Sequence, residues 1–322
     1  MHARTTGIVF TFAIVLALGS GCNPDKNKLY FKPQQGAKRV VDMEVAMNTS
    51  ITNVGTTMSF GNSTAYTFDL TVKQIDDSGT ATFDAVIRSL SAEMTTPFSG
   101  RMPQIPGMPG TDDPFGMKAM QSALKTAEGQ SFTVKVNKLG QVTEISGADA
   151  IAEKAAADYK MPEIAKLPMT AEDIFVATIG DQSMKNLMQA VFAARPDKKL
   201  NIGDTWQEKL SLGNAASEVN WDATYTLKER SSGTVSVENV GQVSLNPAGN
   251  FLKKFGDMPE LKTEMSGQGT GTMRFDEASG WLVESTITAN VPGNMSMTVP
   301  QMGSVSIPMD TSYKATVKSY PS

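Results

Sequence analysis

One histidine and one cysteine are all that this 322-residue chain contains, and both stand near its start, as His2 and Cys22. Without a second thiol no disulfide forms within the chain, so its stability must come from buried apolar surface. A Ser-His-Asp triad, a Cys-His dyad or a histidine-built zinc site would need a histidine beyond residue 2, and the sequence has none. Basic residues are also short. Lys and Arg total 29 against 33 Asp and Glu, a balance that argues against nucleic acid. No apolar run is long enough for a membrane span: Gly7–Leu18 covers about 18 Å as helix against a hydrocarbon core of ~30 Å. A glycine-rich phosphate loop is likewise missing.

That short apolar run takes its meaning from the residues on either side. Arg4 precedes it, and Gly19, Ser20 and Gly21 lead directly into Cys22. A basic start, an apolar middle and small residues ending in cysteine predict a lipoprotein signal peptide over residues 1–21, with Cys22 as the lipidation site. The position three before the cysteine holds Gly19 where a large aliphatic is usual, with Leu18 one step further away. Cleavage would remove His2 and leave a histidine-free mature protein. Each buried acyl CH₂ contributes about 0.8 kcal/mol, so two or three chains would hold the protein on a membrane. Residues 22–35 then form a lipidated tether that opens on the polar Asn23-Pro-Asp-Lys-Asn-Lys28. Asn23, in place of an aspartate, points to an outer-membrane location facing the periplasm.

The rest of the chain alternates with a period of two. Val41, Met43, Val45 and Met47 are separated by Asp42, Glu44 and Ala46, and Tyr66, Phe68, Leu70 and Val72 obey the same rule. Asp76-Asp77-Ser78-Gly79 supplies a turn before Phe83, Ala85 and Ile87. Phe132, Val134 and Val136 lead through Asn137–Gly140 to Val142. A second series runs through Trp206, Leu210 and Leu212, then Val219, Trp221, Ala223, Tyr225 and Leu227. After Arg230-Ser-Ser-Gly233 come Val235 and Val237, then Met273 and Phe275, Trp281 to Ile287, and Tyr313, Ala315 and Val317. Thr133-Val-Lys-Val-Asn137, Gly140, Val142 and Glu144 line up with Thr272-Met-Arg-Phe-Asp276, Gly280, Leu282 and Glu284, with one extra turn residue in the second copy. Tyr66-Thr67 ahead of Ser78-Gly79-Thr80 matches Tyr225-Thr226 ahead of Ser232-Gly233-Thr234, and Gly36 and Gly203 each precede a first strand.

Helical signals lie between the two series. Ala148–Asp158 is alanine-rich, Thr170-Ala-Glu-Asp173 reads as a capping start for a helix to about Gly180, and Asp181–Ala193 carries Met184, Leu187, Met188, Val191 and Phe192 at helical spacing. A shorter helix is expected over Pro114–Thr126, after a Pro- and Met-rich loop at 102–110. The sequence therefore predicts a mainly β (α+β) protein of two related antiparallel curved sheets or half-barrels joined by a helical connector. The divisions are 36–147 for the first β unit, 148–199 for the connector and 200–322 for the second β unit.

Methionine is abundant, with 20 residues. Met43 and Met47 fall on the first strand, Met295, Met297, Met302 and Met309 crowd the C-terminal hairpin, and Met102, Met108, Met117 and Met120 cluster near the Pro-rich loop. Thioethers bind Cu(I), but such sites usually add Cys or His. Flexible side chains that pack a core or line an adaptable apolar groove are the favoured explanation. Asp76-Asp77 and Asp112-Asp113 lack the spaced ligands of a calcium loop and read as turns. Ser122-Ala-Leu-Lys125 has the spacing of Ser-Lys chemistry without its companion motifs. Trp206, Trp221 and Trp281 read as core anchors, and Gly267-Gln-Gly-Thr-Gly271 as a bend before a strand.

Several segments together carry a resemblance: Leu29-Tyr-Phe-Lys-Pro33, Phe132-Thr-Val-Lys-Val136, Phe192-Ala-Ala-Arg-Pro196 with Gly203-Asp-Thr-Trp206, and Ser266-Gly-Gln-Gly-Thr-Gly-Thr272 with Gly280-Trp281. With the lipoprotein signal they resemble the uncharacterised Met-rich bacterial lipoproteins grouped as a domain of unknown function. The resemblance implies an exported, lipid-anchored, β-rich protein and transfers no catalytic residue. Curved sheets around a helix are also similar in architecture to lipoprotein carriers, whose apolar concave face holds acyl chains; such an analogy does not deliver function.

The expected role is a non-enzymatic envelope lipoprotein that binds a hydrophobic ligand or a protein partner on an apolar β surface. It has no cofactor, no metal and no nucleic-acid partner. A structural lipoprotein without a small ligand is the alternative, and a carboxylate-based hydrolase stands third.

Overall fold

The computed structural model describes residues 27–53, 56–95, 117–159, 170–214, 217–247, 261–299 and 303–322. The signal peptide and Cys22, the Pro- and Met-rich loop, Asp112-Asp113 and Met302 lie outside the described residues.

The strands are β1 (Lys38–Asn53), β2 (Thr56–Ile75), β3 (Ala81–Thr95), β4 (Ser131–Val136), β5 (Val142–Ser146), β6 (Thr205–Asn214), β7 (Ser217–Ser231), β8 (Thr234–Pro247), β9 (Leu261–Asp276), β10 (Leu282–Val299) and β11 (Gly303–Pro321). The helices are α1 (Met117–Leu124), α2 (Ala148–Asp158), α3 (Ala171–Ile179) and α4 (Asp181–Phe192). The protein is mainly β and the strands are antiparallel, but the two expected sheets are one. Their order is β5-β4-β3-β2-β1-β11-β10-β9-β8-β7-β6 in a single 11-stranded sheet. The last strand causes this. β11 returns to pair with β1 from Arg39 opposite Pro321 to Ile51 opposite Met309, which seals the first series to the second.

The sheet is open yet strongly rolled. Phe83 on β3 and Trp281 before β10 have ring centroids 5.8 Å apart, although β2, β1 and β11 lie between them. Four inter-strand steps on a flat sheet would separate them by about 19 Å. Helix α4 packs against both edge strands, β5 and β6, and stands in the gap where the barrel would close.

Gly267, Gly269 and Gly271 lie within β9, and this corrects the expectation of a bend ahead of a strand. A Cβ on Gly267 would fall 1.9 Å from the Asn290 carbonyl oxygen, and one on Gly269 would meet Trp221 at 2.6 Å. The missing side chains let β10 and Trp221 approach closely.

The helices form for local reasons. Thr170 accepts from the Asp173 amide while the Asp173 carboxylate accepts from the Thr170 amide, a complete capping box on α3. Asp181 Oδ1 accepts from the Ala148 and Asp149 amides, and Asp149 Oδ1 accepts from the Asp181 amide, so α2 and α4 cap each other. The apolar face of α4 (Met184, Leu187, Met188, Val191 and Phe192) is buried.

Corresponding sequences in the two series adopt corresponding geometry. Gly36 donates to Val72 O (2.8 Å) and Val72 to Ala37 O, while Gly203 donates to Leu227 O (2.8 Å) and Leu227 to Asp204 O. Both hairpins then bulge, between Val72 and Gln74 and between Leu227 and Glu229. Lys135–Glu144 and Arg274–Glu284 are matching ion pairs, as are Lys73–Asp84 and Lys228–Glu238. The segments that lead into the two series cross over. The Lys32 amide bonds Ser279 O in the β9–β10 turn (2.8 Å), and the Arg195 amide bonds Leu139 O in the β4–β5 turn (2.9 Å).

Candidate functional site

Period-two alternation gives each strand one face towards the inside of the roll, and that face changes character along the strands. At the end holding residues 28–33 it is closed. Phe31 meets Phe83, Phe192 and Trp281 at 6.0, 5.4 and 4.9 Å between centroids. Arg195 is buried beside them, with no acidic partner among the described residues. Its Nη2 donates to Phe192 O (3.0 Å) and Gly280 O (2.6 Å), and its guanidinium stacks over Phe31 and Phe275. Burial pulls this guanidinium down to about 9. Tightly packed aromatics make this end a plug.

Towards the β1–β2 hairpin the same face becomes a half-buried apolar wall. Met47 stands opposite Tyr313 on β11 and Asn62 on β2, and Asn62 stands opposite Met94 on β3. Ile51 stands opposite Met58 and Met309, and Met295 opposite Ile307. Met47, Ile51, Met58, Phe60, Met295, Ile307 and Met309 are all half-buried, and Met94 is 51% exposed. The wall's own hydroxyls are partly spent: Thr49 and Thr311 bond each other across the β1–β11 seam at 2.9 Å. Beneath it Tyr313 is buried, and desolvation pushes its phenol above the ordinary value. Unbranched thioethers on such a surface re-pack around guests of different shape.

Of the methionines singled out in the sequence, the structure brings Met47, Met295 and Met309 to this wall. Met43 belongs to the closed core, Met120 packs against it from α1, and Met117 begins α1. Met58, Met94 and Phe60 were missed. Met58 and Phe60 carry the period-two signal; Met94 lies beyond the bulge at Thr67/Phe68, which shifts the phase of β3.

The other signals are structural. Asp76 Oδ1 accepts from the Ser78 and Thr80 amides as a turn, and Ser122 in α1 and Lys125 just after it are both exposed. All three tryptophans are buried. On the outer face Asp69 pairs with Arg88 and Asp222 with Lys209 across neighbouring strands. Among the described residues no group of three or more His, Cys, Asp or Glu is placed to hold a metal ion, and no helix is long and apolar enough to cross a membrane.

A family model described as "Family of unknown function (DUF6263)" matches residues 78–282. No curated protein matches the chain. Among solved structures, one titled "Lipid-protein interactions in lipovitellin" is similar at a TM-score of 0.45 and 11% identity; it covers 89% of this chain, which spans only 25% of the lipovitellin chain. The outer membrane protein OprG of Pseudomonas aeruginosa aligns over 91% of this chain and 100% of its own, at 6% identity and a TM-score of 0.25. The COG4313 outer membrane channel of Pseudomonas putida F1 covers 90% and 98%, at 8% and 0.23. At these scores the likenesses establish neither a shared fold nor a shared function.

Proposed function

The chain belongs to DUF6263, a family of unknown function, and within it we propose a non-enzymatic envelope lipoprotein, anchored through Cys22, that binds a hydrophobic ligand on the inner wall of its rolled sheet. The observation that carries this reading is the wall itself. Its methionines and isoleucines are in phase with the core yet only half-buried, at the end of the roll opposite the aromatic plug. Solvent-facing apolar surface of this kind is costly unless something covers it.

The residues also speak for binding over catalysis. The acidic side chains named above serve as caps, turns and ion pairs, and a histidine-free mature chain has no general base of that type. An acyl chain fits the wall: each CH₂ withdrawn from water contributes about 0.8 kcal/mol, so affinity would rise with chain length.

Native mass spectrometry of the full protein, released gently from the envelope, tests this. A lipid-sized adduct that is lost in Met58→Asp and Met94→Asp, with unchanged circular dichroism, is expected. A clean mass for the wild type, or an adduct indifferent to both substitutions, would refute it.

A further inference from the structure

The chain emerges from its anchor at the plugged end, beside an unusual group of lysines. Lys28 forms a bridge with Lys199, and Leu200 donates to Asn27 O at 3.0 Å, so the first described residues run antiparallel to the 199–200 segment. Tyr30 gathers further charge. The ammonium groups of Lys28, Lys32 and Lys138 lie 5.0, 5.5 and 5.1 Å from the centre of its ring. With Lys198 and Lys199 these make a strip of five lysines around Asp197. Asp197 is engaged: Tyr30 Oη donates to it at 2.5 Å and Lys28 Nζ at 2.9 Å. Those two bonds hold its carboxyl below the usual range, and Lys28 is raised by the same partners.

Other acids at this end are Asp76 and Asp77 in the β2–β3 turn, near Lys138, Asp204, which accepts from the Asn201 amide, Glu229, which accepts from the Ser231 hydroxyl, Asp276, which accepts from the Ser279 amide, and Glu277, which is paired with Arg230. Lys32, Lys138, Lys198 and Lys199 are exposed. Five lysines are thus gathered beside the first described residues, three of them around one aromatic ring, while most of the acids nearby are engaged by turn amides, hydroxyls or cations.

We propose that this lysine strip docks on the anionic phospholipid headgroups of the membrane that holds the anchor, so that the apolar wall points away from that membrane. The inference rests on the anchor reading. Cys22 lies six residues before Lys28, a reach of about 20 Å, which keeps the strip within contact of the bilayer surface. Lysines at such a surface are attracted over roughly a Debye length, about 8–10 Å. Strands as long as the 20 residues of β2 place their far end up to roughly 60 Å away. The ligand would then be exchanged with a partner or membrane facing the anchored one, not drawn from the bilayer beneath.

The test uses the full chain in vesicles of phosphatidylethanolamine with or without phosphatidylglycerol. A thiol-reactive fluorophore is placed by Gln34→Cys near the strip or by Thr57→Cys at the far end, with a quencher on the lipid headgroups. An acylated Cys22 leaves wild type unlabelled, so each variant carries one dye. Strong quenching is expected at position 34 and little at 57. It should depend on phosphatidylglycerol, weaken in high salt, and weaken likewise when Lys32→Gln, Lys138→Gln and Lys199→Gln are combined. Equal quenching at both positions, or indifference to the anionic lipid and to the lysines, would overturn the proposal. If the dye labels wild type at Cys22, the anchor reading has failed and the proposal falls with it.

Discussion

Gly280 and Gly36 share a backbone conformation and differ in what surrounds them, so one substitution at each separates local strain from the interlock of the plug. Their φ values are +71° and +81°. A side chain in this left-handed region costs about 1–2 kcal/mol wherever it sits. A Cβ at Gly36 would meet nothing within 4 Å, so Gly36→Ala should cost about 1 kcal/mol. A Cβ at Gly280 would lie 2.2 Å from Tyr30 O and 3.0 Å from Phe31 Cα, and both are backbone atoms that no rotamer change can move. The Leu29–Lys32 segment must retreat. That loses the Lys32–Ser279 hydrogen bond, about 1 kcal/mol. It also loses part of the packing of Phe31, for which full truncation would cost about 3–5 kcal/mol. Gly280→Ala should therefore destabilise by about 4 kcal/mol. At roughly 2 °C per kcal/mol for a chain of this size, the melting points should fall by about 2 °C and about 8 °C respectively. Thermal melts monitored by circular dichroism, with Gly203→Ala (φ +92°, nothing within 4 Å) as a second open control, decide it. Equal shifts at positions 36 and 280 would show that the leading segment is not wedged between the turns.

Alkaline pH should unfold the protein through its buried phenols. Desolvation raises Tyr66, Tyr225 and Tyr313 above their ordinary value of 10, so the folded state keeps protons that the unfolded state releases. Their contribution is intact below pH 10 and declines above it; phenolate absorbance of these three should appear together with loss of near-ultraviolet dichroism, and separate, earlier titration would contradict their burial. Thr170→Ala removes the α3 capping box and should cost about 1 kcal/mol, with amide exchange accelerated in α3 and unchanged in β2; no local acceleration would discount the cap.

Much of this fold was legible in the sequence because each strand carries a clean period of two and each turn its own chemistry. Gly36, Gly79, Gly140, Gly203, Gly233 and Gly280 all sit at turns with positive φ. Helices α2, α3 and α4 were readable from alanine content, a capping box and apolar spacing. What the sequence did not show was pairing between distant strands. Nothing local to Val41 or Val317 says that β1 and β11 are neighbours, and that one choice turns two sheets into one. Nor does Arg195 look like a core residue until its carbonyl partners and flanking aromatics are seen. The apolar wall was half legible. Methionines on β1 and the last hairpin marked it, but their meeting with Met58 and Met94 depends on register and on a bulge.

Photocrosslinking with a diazirine-bearing fatty acid, applied to intact envelopes and mapped by peptide mass spectrometry, tests the ligand wall most directly. Adducts should concentrate on Met47, Met58, Met94, Met309 and their neighbours on the inner face, and excess unlabelled fatty acid should suppress them. Adducts confined to outer-face positions such as Val240 and Thr270, or labelling that competitor leaves unchanged, would contradict the account.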